Sequence, residues 1–279
     1  MKGGCIDKYF YIFIIQVILM IKAIFFDIDG TLVSFKTHKV PQSTIDALNL
    51  LREKGIKIFI ATGRHPSIIG LGNNINELKF DGYVTLNGQY CFTDNKVIYK
   101  KSICREDIVK LIEFLKTSNY PCAFIEEKEY MYINHINDDV KTVLKSVNVP
   151  LPNVKDISRA LENEIFQLNP YIPPEKDHIF MDILKNCDLT RWNPLFSDII
   201  PAGGGKHVAI EKVREFYGFS KEETMAFGDG ENDITMLSNV GIGVAMGNAN
   251  EAVKKVANYI TTSVDEDGIY NALKYFSII

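Results

Sequence analysis

Short apolar runs alternate with amphipathic segments along the first part of the chain. The run Ile21–Phe26 precedes a segment, Ser43–Lys54, whose apolar residues recur at the three- and four-residue spacing of a helix. Ser43 is a favourable N-cap residue, and Gly55 suits the position just after the helix. A second apolar run, Ile56–Ile60, follows directly. A strand, a helix and a strand joined by short connections predict a parallel βαβ unit.

The same alternation returns after about Trp192. Apolar periodicity predicts helices at Lys206–Tyr217, Asn232–Ser238, Ala249–Ala257 and Gly268–Phe276, and strands at Thr224–Phe227, Ile242–Met246 and Tyr259–Thr261. A further short strand, Asp81–Asn87, ends the first part of the chain. Strands that alternate with helices form one parallel sheet covered on both faces. The sequence therefore predicts an α/β fold with a Rossmann-like parallel sheet as its core.

The segment between these two parts has a different character. Tyr90–Tyr99 has the pattern of a β-hairpin, with Asp94 and Asn95 at its turn. Beyond it, two predicted helices, Asp107–Ser118 and Asp138–Ser146, are separated by short strands without the regular βα order. This composition predicts an α+β cap domain inserted into the core.

These changes set the predicted domain boundaries: core residues 20–87, cap residues 88–190 and core residues 191–279. Residues 1–19 form an N-terminal apolar extension, because Tyr9–Ile21 is almost unbroken apolar sequence. Such a run suits a signal-peptide core or a membrane anchor, although a spanning helix needs about 20 residues. Met20 stands directly before the first strand, so we expect translation to begin there and no membrane association unless residues 1–19 are translated.

Composition narrows the class of protein. The 279 residues are 46% hydrophobic and 24% charged, as in ordinary globular proteins. A net charge of -4 without a dense basic patch argues against a nucleic-acid partner. The five cysteines include no Cys-x-x-Cys pair, which favours reduced thiols and a cytoplasmic location over a disulfide framework or a zinc site.

Acidic residues follow two of the predicted strands. Asp27 and Asp29 come directly after the first apolar run, and Asp229 and Asp233 follow Thr224–Phe227. Ligands of open parallel sheets bind at the carboxyl ends of the strands. An ordinary surface turn is the alternative for the first pair, but a buried strand precedes it. Because hard divalent cations prefer oxygen ligands, the two acidic clusters predict a metal site.

Thr62 and Lys206 are weaker candidates. Thr62 and Gly63 end the second strand, where a hydroxyl and backbone N–H groups can hold a phosphate, although a plain turn is commoner. Lys206 follows three glycines at a predicted helix start, where a solvated lysine is the commoner outcome. A P-loop would need glycine and a hydroxyl residue where the chain has Ile200 and His207. A dinucleotide fingerprint and an EF-hand also fail on spacing.

Together these residues resemble the four motifs of the haloacid dehalogenase superfamily of phosphatases. In order along the chain the motifs are Asp27-Ile-Asp29-Gly-Thr-Leu, Thr62-Gly-Arg, Lys206 and Gly-Asp229-Gly-Glu-Asn232-Asp233. The inserted middle unit and the form of the last motif resemble the Cof-type branch with a type IIB cap. The stretches around the first two motifs are also similar to Bacteroides-type hexose-phosphate phosphatases. The likeness covers Met20–Ile279.

The resemblance implies a catalytic role for three of these residues. Asp27 is the nucleophile that forms an aspartyl-phosphate, and Asp29 protonates the leaving alcohol and later activates water. Lys206 neutralises charge on the transferring group. The residues implied to bind the phosphoryl oxygens are Thr62, Gly63, Lys206 and Asn232.

The resemblance also implies Mg²⁺ as the cofactor. Asp27, the backbone carbonyl of Asp29 and the carboxylate of Asp229 are its implied ligands. Asp233 is implied to orient metal-bound water or Lys206. All these positions hold the residue type that the family uses, which predicts an active enzyme.

The predicted activity is Mg²⁺-dependent hydrolysis of phosphate monoesters of small metabolites, with sugar (hexose) phosphates as the favoured substrates. A phosphotransferase or mutase that uses the same intermediate, and a non-enzymatic metabolite-binding protein, are the alternatives. The expected partner is a small phosphorylated metabolite. A monomer is expected by default, because a cap of this type shields the site without a second subunit.

Overall fold

The computed structural model describes residues 21–127, 131–146 and 149–279. The predicted N-terminal extension and Met20 lie outside the described residues. Within the described ranges, no helix combines the length and the apolar character needed to cross a membrane.

The larger sheet has the predicted parallel core. Its parallel strands are β1 (Ala23–Phe26), β2 (Lys57–Ala61), β3 (Gly82–Thr85), β12 (Thr224–Gly228), β13 (Ile242–Ala245) and β14 (Tyr259–Ile260). The antiparallel strands β4 (Tyr90–Thr93) and β5 (Lys96–Lys100) extend one edge, which gives the order β14-β13-β12-β1-β2-β3-β4-β5. The Rossmann-like core is therefore confirmed.

Strand β1 is uniformly apolar because both faces of the sheet are covered. Ile24 and Phe26 enter one hydrophobic cluster, whereas Ala23 and Phe25 enter another on the opposite face. The ring of Phe26 stacks on that of Phe227 in β12, with centroids 5.0 Å apart. Packing on both faces fixes β1 at the centre of the sheet.

Helices cover both sheets of the molecule. They are α1 (Gln42–Glu53), α2 (Arg105–Thr117), α3 (Asp138–Ser146), α4 (Asp177–Met181), α5 (Lys206–Tyr217), α6 (Ile234–Ser238), α7 (Glu251–Val256) and α8 (Gly268–Tyr275). The predicted N-cap of α1 is wrong, because Pro41 occupies that position. The hydroxyl of Ser43 instead donates to Asp267 Oδ1 at 2.5 Å and ties α1 to the turn before α8. Gly55 takes the positive φ of 72° that ends the helix.

The second sheet belongs to the inserted α+β unit. Its strands are β6 (Cys122–Glu126), β7 (Tyr132–Ile133), β8 (Asn153–Val154), β9 (Ile165–Pro170), β10 (Cys187–Asn193) and β11 (Phe196–Pro201). They lie in the order β10-β11-β9-β6-β7-β8 and are antiparallel except for the pair β7–β8. Helix α2 packs on one face through Ile108, Leu111 and Leu115.

The chain leaves the larger sheet, and later leaves the second sheet, further along the sequence than the predicted boundaries. The hairpin β4–β5 pairs with β3 in the larger sheet, where Thr85 faces Tyr90. Strand β11 pairs with β9 in the second sheet, where Ile199 faces Leu168. A hairpin pattern does not reveal which sheet it joins, since alternation is the same in both. From sheet membership we propose boundaries after Lys100 and after Pro201, where the sequence predicts them after residues 87 and 190.

The two connections between the sheets are in contact, and the returning one also lies against the turn between β3 and β4. In that turn Gly88 has a φ of +92°, and a Cβ at this position would lie 2.3 Å from the carbonyl oxygen of Gly205. Lys101 Nζ donates to the carbonyl oxygen of Ala202 at 2.7 Å. The outgoing and the returning segments are therefore in direct contact.

Candidate active site

The carboxyl ends of three neighbouring parallel strands form the site. Strand β1 lies between β2 and β12, and the backbone N–H of Asp27 continues the pairing by donating to the Phe227 carbonyl at 3.0 Å. Beyond Asp27 the chain turns at Gly30, whose φ is +84°. A Cβ on Gly30 would lie 2.2 Å from Asp229 Oδ2. Glycine is therefore required for the two acidic loops to approach one another.

Lys206 lies at the centre of the site. It is the first residue of α5 and is 1% exposed. Its Nζ donates to Asp27 Oδ1 at 2.6 Å and to Asp233 Oδ1 at 2.6 Å. The second oxygen of Asp233 accepts from the backbone N–H groups of Asp229 and Gly230, each at 3.0 Å. Asp233 therefore fixes both the lysine and the loop that carries Asp229.

Three carboxylates surround this one ammonium group. One oxygen from each of Asp27, Asp229 and Asp233 lies within 4.8 Å of the others. Asp229 is oriented by Thr31, whose hydroxyl donates to Oδ1 at 2.9 Å, and by Asn248, whose amide donates to Oδ2 at 3.2 Å. The cluster carries more negative than positive charge and offers hard oxygen donors. Its donor set therefore fits a divalent cation such as Mg²⁺.

Burial of the cluster shifts the pKa values of its members. Burial raises the pKa of Asp27 well above its usual value, against the attraction of Lys206. Burial, followed by repulsion from Asp233, raises the pKa of Asp229 to about 7. Burial alone would lower the pKa of Lys206, but Asp233 and Asp27 outweigh it and the pKa is raised. The ammonium therefore stays charged, while the carboxyl groups compete for protons or for a cation.

The raised pKa of Asp229 predicts how stability depends on pH without a metal. Because the folded protein holds this proton up to about pH 7 and the unfolded chain releases it near pH 4, raising the pH from 5 to 8 lowers the free energy of unfolding. The contribution is on the order of 2 kcal/mol. Urea unfolding in EDTA measures it, with Asp229→Asn as the control that lacks the titrating group. Equal pH dependence in both proteins contradicts this prediction.

Asp29 lies apart from the three-carboxylate cluster. Arg64 Nε and Nη2 donate to its two carboxylate oxygens at 2.9 and 2.8 Å. The same guanidinium donates through Nη1 to the carbonyl oxygens of Ile68 and Ile69. The Asp29 side chain remains 42% exposed. Its acid–base role and its carbonyl as a metal ligand stay predictions, and Arg64 is the residue that holds its carboxylate.

The expected phosphate-binding residues lie near one another. Thr62 directly follows β2, next to β1, and its buried hydroxyl oxygen accepts from the backbone N–H of Arg64 at 3.1 Å. Asn232 Nδ2 donates to Asn87 Oδ1 at 3.0 Å. A Cβ on Gly63 would lie 3.1 Å from the same Asn87 oxygen. The strand ends bring these residues together around Asn87, and their contact with phosphate stays a prediction.

Several contacts of the site could not be predicted from the sequence. Thr31 stands beside the first acidic pair and is suggested by that position alone. Asn87 has a positive φ of 53°, which is consistent with an asparagine before glycine, yet this signal predicts only a turn. Asn248 and Asp198 carry no sequence signal for a place near the site.

Comparison with known proteins agrees with this geometry. Residues 24–273 match the family of haloacid dehalogenase-like hydrolases. YkrA of Bacillus subtilis, whose name assigns phosphatase activity provisionally, is 34% identical over 92% of this chain and 98% of its own length. YitU of the same organism, named a 5-amino-6-(5-phospho-D-ribitylamino)uracil phosphatase, is 28% identical over 90% of this chain and 96% of its own length.

Two solved structures are also similar. The subclass IIB sugar phosphatase BT4131 from Bacteroides superposes with a TM-score of 0.84 and 43% identity, over 92% of this chain and 100% of that chain. The phosphatase BT1666 from Bacteroides thetaiotaomicron superposes with a TM-score of 0.86 and 40% identity, over 93% of this chain and 96% of that chain. The family resemblance found in the motifs is confirmed. This chain belongs to the haloacid dehalogenase superfamily of hydrolases and is one of its phosphatases.

Proposed function

We propose that this phosphatase is Mg²⁺-dependent and hydrolyses sugar phosphates, with hexose phosphates favoured, through an aspartyl-phosphate on Asp27. The observation that carries the proposal is the buried cluster of Asp27, Asp229 and Asp233 around Lys206. The sugar phosphatase BT4131 supports the substrate class. YitU, whose named substrate carries a phosphorylated ribityl chain, also supports a hydroxyl-rich leaving group.

In the first half of the reaction a carboxylate oxygen of Asp27 attacks phosphorus, and the bond from phosphorus to the leaving oxygen breaks. Asp29 must leave its ion pair with Arg64 and be protonated before this step; it then gives its proton to that oxygen, so the sugar departs as an alcohol. Lys206 offsets the negative charge of the phosphoryl oxygens, and the hydroxyl of Thr62 and the N–H groups around Gly63 and Asn232 hold them. Arg64 keeps the Asp29 carboxylate at the edge of the site.

In the second half Asp29, now ionised, takes a proton from water, and the resulting hydroxide attacks the same phosphorus. The bond to Asp27 breaks and inorganic phosphate leaves. Asp27, the carbonyl of Asp29 and Asp229 are the residues that would hold Mg²⁺, beside Asp233. Bound Mg²⁺ supplies positive charge that offsets the repulsion between an anionic nucleophile and an anionic substrate.

A surface cleft lies beside the loop that carries Asp229. It has a volume of about 370 Å³, which falls within the roughly 300–1,000 Å³ of small-molecule sites. Its lining comes from β10 and the turn after it (Arg191, Asn193 and Pro194), from the loop after β12 (Gly230 and Glu231) and from Asn250 just before α7. The second sheet therefore forms part of the wall of this cleft.

The proposal is tested by phosphate release from a panel of sugar phosphates, nucleotides and cofactor phosphates. We expect release with Mg²⁺, loss of release in EDTA and recovery when Mg²⁺ is returned, with hexose phosphates among the best substrates. Mass spectrometry of products separates hydrolysis from transfer to a second sugar. Release that is unchanged in EDTA contradicts the metal requirement, and a preference for nucleotides contradicts the substrate class.

Two further predictions accompany this function. A monomer is the expected state, which gel filtration at several protein concentrations measures. A cytoplasmic location is consistent with Cys91, Cys104, Cys122 and Cys187, which are all free thiols.

A further inference from the structure

The second sheet presents a row of buried polar side chains to the core beside the site. Asn87 Nδ2 donates to Asp198 Oδ2 at 3.1 Å and to Gln167 Oε1 at 3.3 Å. Asn169 Nδ2 donates to Asp198 Oδ1 at 2.5 Å and to the Ser197 carbonyl at 3.1 Å. Asn87, Gln167, Asn169 and Asp198 are all buried. Only Asn87 belongs to the core, so this row joins the two sheets.

Strand register explains why the polar groups share one face. Gln167 and Asn169 alternate along β9, so their side chains point to the same side of the second sheet. Leu168, between them, points to the opposite side and packs with Phe124 in the cluster under α2. The polar row is therefore the face turned toward Asn87, and the apolar row is the face covered by helices.

A fixed contact between the two units would not need these buried polar side chains. Leu86, Ile125 and Phe166 already form an apolar contact between the core and the second sheet. A buried carboxylate is costly unless hydrogen bonds compensate it. Asp198 supplies acceptors, and the amides of Asn87 and Asn169 supply donors. Sugar hydroxyls both donate and accept, and a site of this composition can satisfy each of them.

The row also leads directly to the expected phosphate site. Asn232, one of the residues predicted to hold phosphate, donates to Asn87 Oδ1 at 3.0 Å, and Asn87 Nδ2 in turn donates to Asp198. Any separation of the two sheets breaks the contact between Asn87 and Asp198 and exposes both groups. A substrate with its phosphate near Asn232 then brings its leaving group to the second sheet at this point.

We propose that Asp198 and Asn169 determine specificity by binding hydroxyl groups of the leaving group, an inference that rests on the proposed sugar phosphatase function. Without substrate, Asn87 occupies the acceptor oxygen of Asp198. With substrate, a sugar hydroxyl donates to Asp198, and Asn169 donates to a sugar oxygen. Asn87 is a positioning residue that couples this recognition to the phosphate end of the site.

The test compares kcat/KM of Asp198→Asn for the best sugar phosphate of the panel and for p-nitrophenyl phosphate, whose leaving group lacks sugar hydroxyls. We expect at least a ~10-fold loss with the sugar phosphate and less than ~3-fold with p-nitrophenyl phosphate, because an amide replaces the acceptor. Among deoxy analogues of that sugar, the one that lacks the bound hydroxyl is expected to lose its sensitivity to the substitution.

Asp182→Asn is the matched control, since Asp182 is an exposed carboxylate of the same unit paired with Lys185. Asn169→Ser is a second variant, expected to lose kcat/KM selectively for the sugar phosphate. It replaces Asp198→Asn as the test if that variant does not fold. An equal loss with both substrates, or no loss with either, overturns this inference while the phosphatase function stands. If the wild-type protein releases phosphate from neither substrate, the function and this inference fail together.

Discussion

Asp27→Asn is expected to reduce phosphate release by at least ~10³-fold, because a neutral amide cannot attack phosphorus as the carboxylate does. The fold is expected to survive. The substitution removes one of three clustered carboxylates, and Lys206 keeps its partner Asp233. Since burial already raises the pKa of Asp27, the free energy of unfolding at pH 8 in EDTA is expected to equal or exceed that of the wild type.

Steady-state release and urea unfolding measure the two effects on the same preparation. Asp46→Asn is the control, because Asp46 is exposed on α1 and accepts a hydrogen bond from Gln42 on the same helix. A variant of Asp27 that keeps activity within ~10-fold of the wild type contradicts its assignment as the nucleophile. Loss of activity together with unfolding leaves the assignment unsupported by this substitution, and Asp27→Glu then provides the second comparison.

Lys206→Met is expected to destabilise the protein as well as to inactivate it. The substitution leaves two buried carboxylates, Asp27 and Asp233, without their ammonium partner. Removal of one member of a buried ion pair costs roughly 3–5 kcal/mol. Activity is expected to fall at least ~10²-fold, because the charge of the phosphoryl oxygens loses a fixed counter-charge.

Lys212→Met on the same helix is the matched control, since the Lys212 side chain is 40% exposed and pairs with Glu215 at the surface. Its expected cost is within about 0.5 kcal/mol. Urea unfolding in EDTA gives both values, and addition of Mg²⁺ is expected to restore part of the stability lost in the Lys206 variant. Equal stability of the two variants contradicts a central role for the ammonium in the cluster.

Local patterns were sufficient to predict the core of this protein. The bounds of α5, Lys206–Tyr217, agree with the predicted ones, because a helix between glycine and glycine with a clear apolar face is specified by its own residues. The acidic pair after β1 could likewise be predicted, because the apolar residues of this buried strand stop directly before Asp27.

The second sheet was predicted less well, for a physical reason. Strand β11 is buried along its whole length although it contains Ser197 and Asp198. Polar residues within a short segment interrupt the apolar pattern that marks a buried strand. Asp198 is buried there with hydrogen bonds from Asn87 and Asn169, which a local pattern does not reveal.

The pairing of Asp29 with Arg64 shows the same limit at the site itself. Both residues belong to recognisable motifs, yet their contact joins positions 35 residues apart and depends on how the turns after β1 and β2 meet. Spacing predicts which strand ends are neighbours. Spacing does not predict which side chains at those strand ends form hydrogen bonds with each other.

The contact between the outgoing and returning connections has a consequence for how such a protein changes over generations. Because Lys101 contacts Ala202, the inserted unit begins and ends at one place on the core. A unit attached in this way can be lengthened, exchanged or lost without breaking any pairing of β1, β2 or β12. Selection can therefore alter the inserted unit while the cluster of Asp27, Asp229, Asp233 and Lys206 remains unchanged.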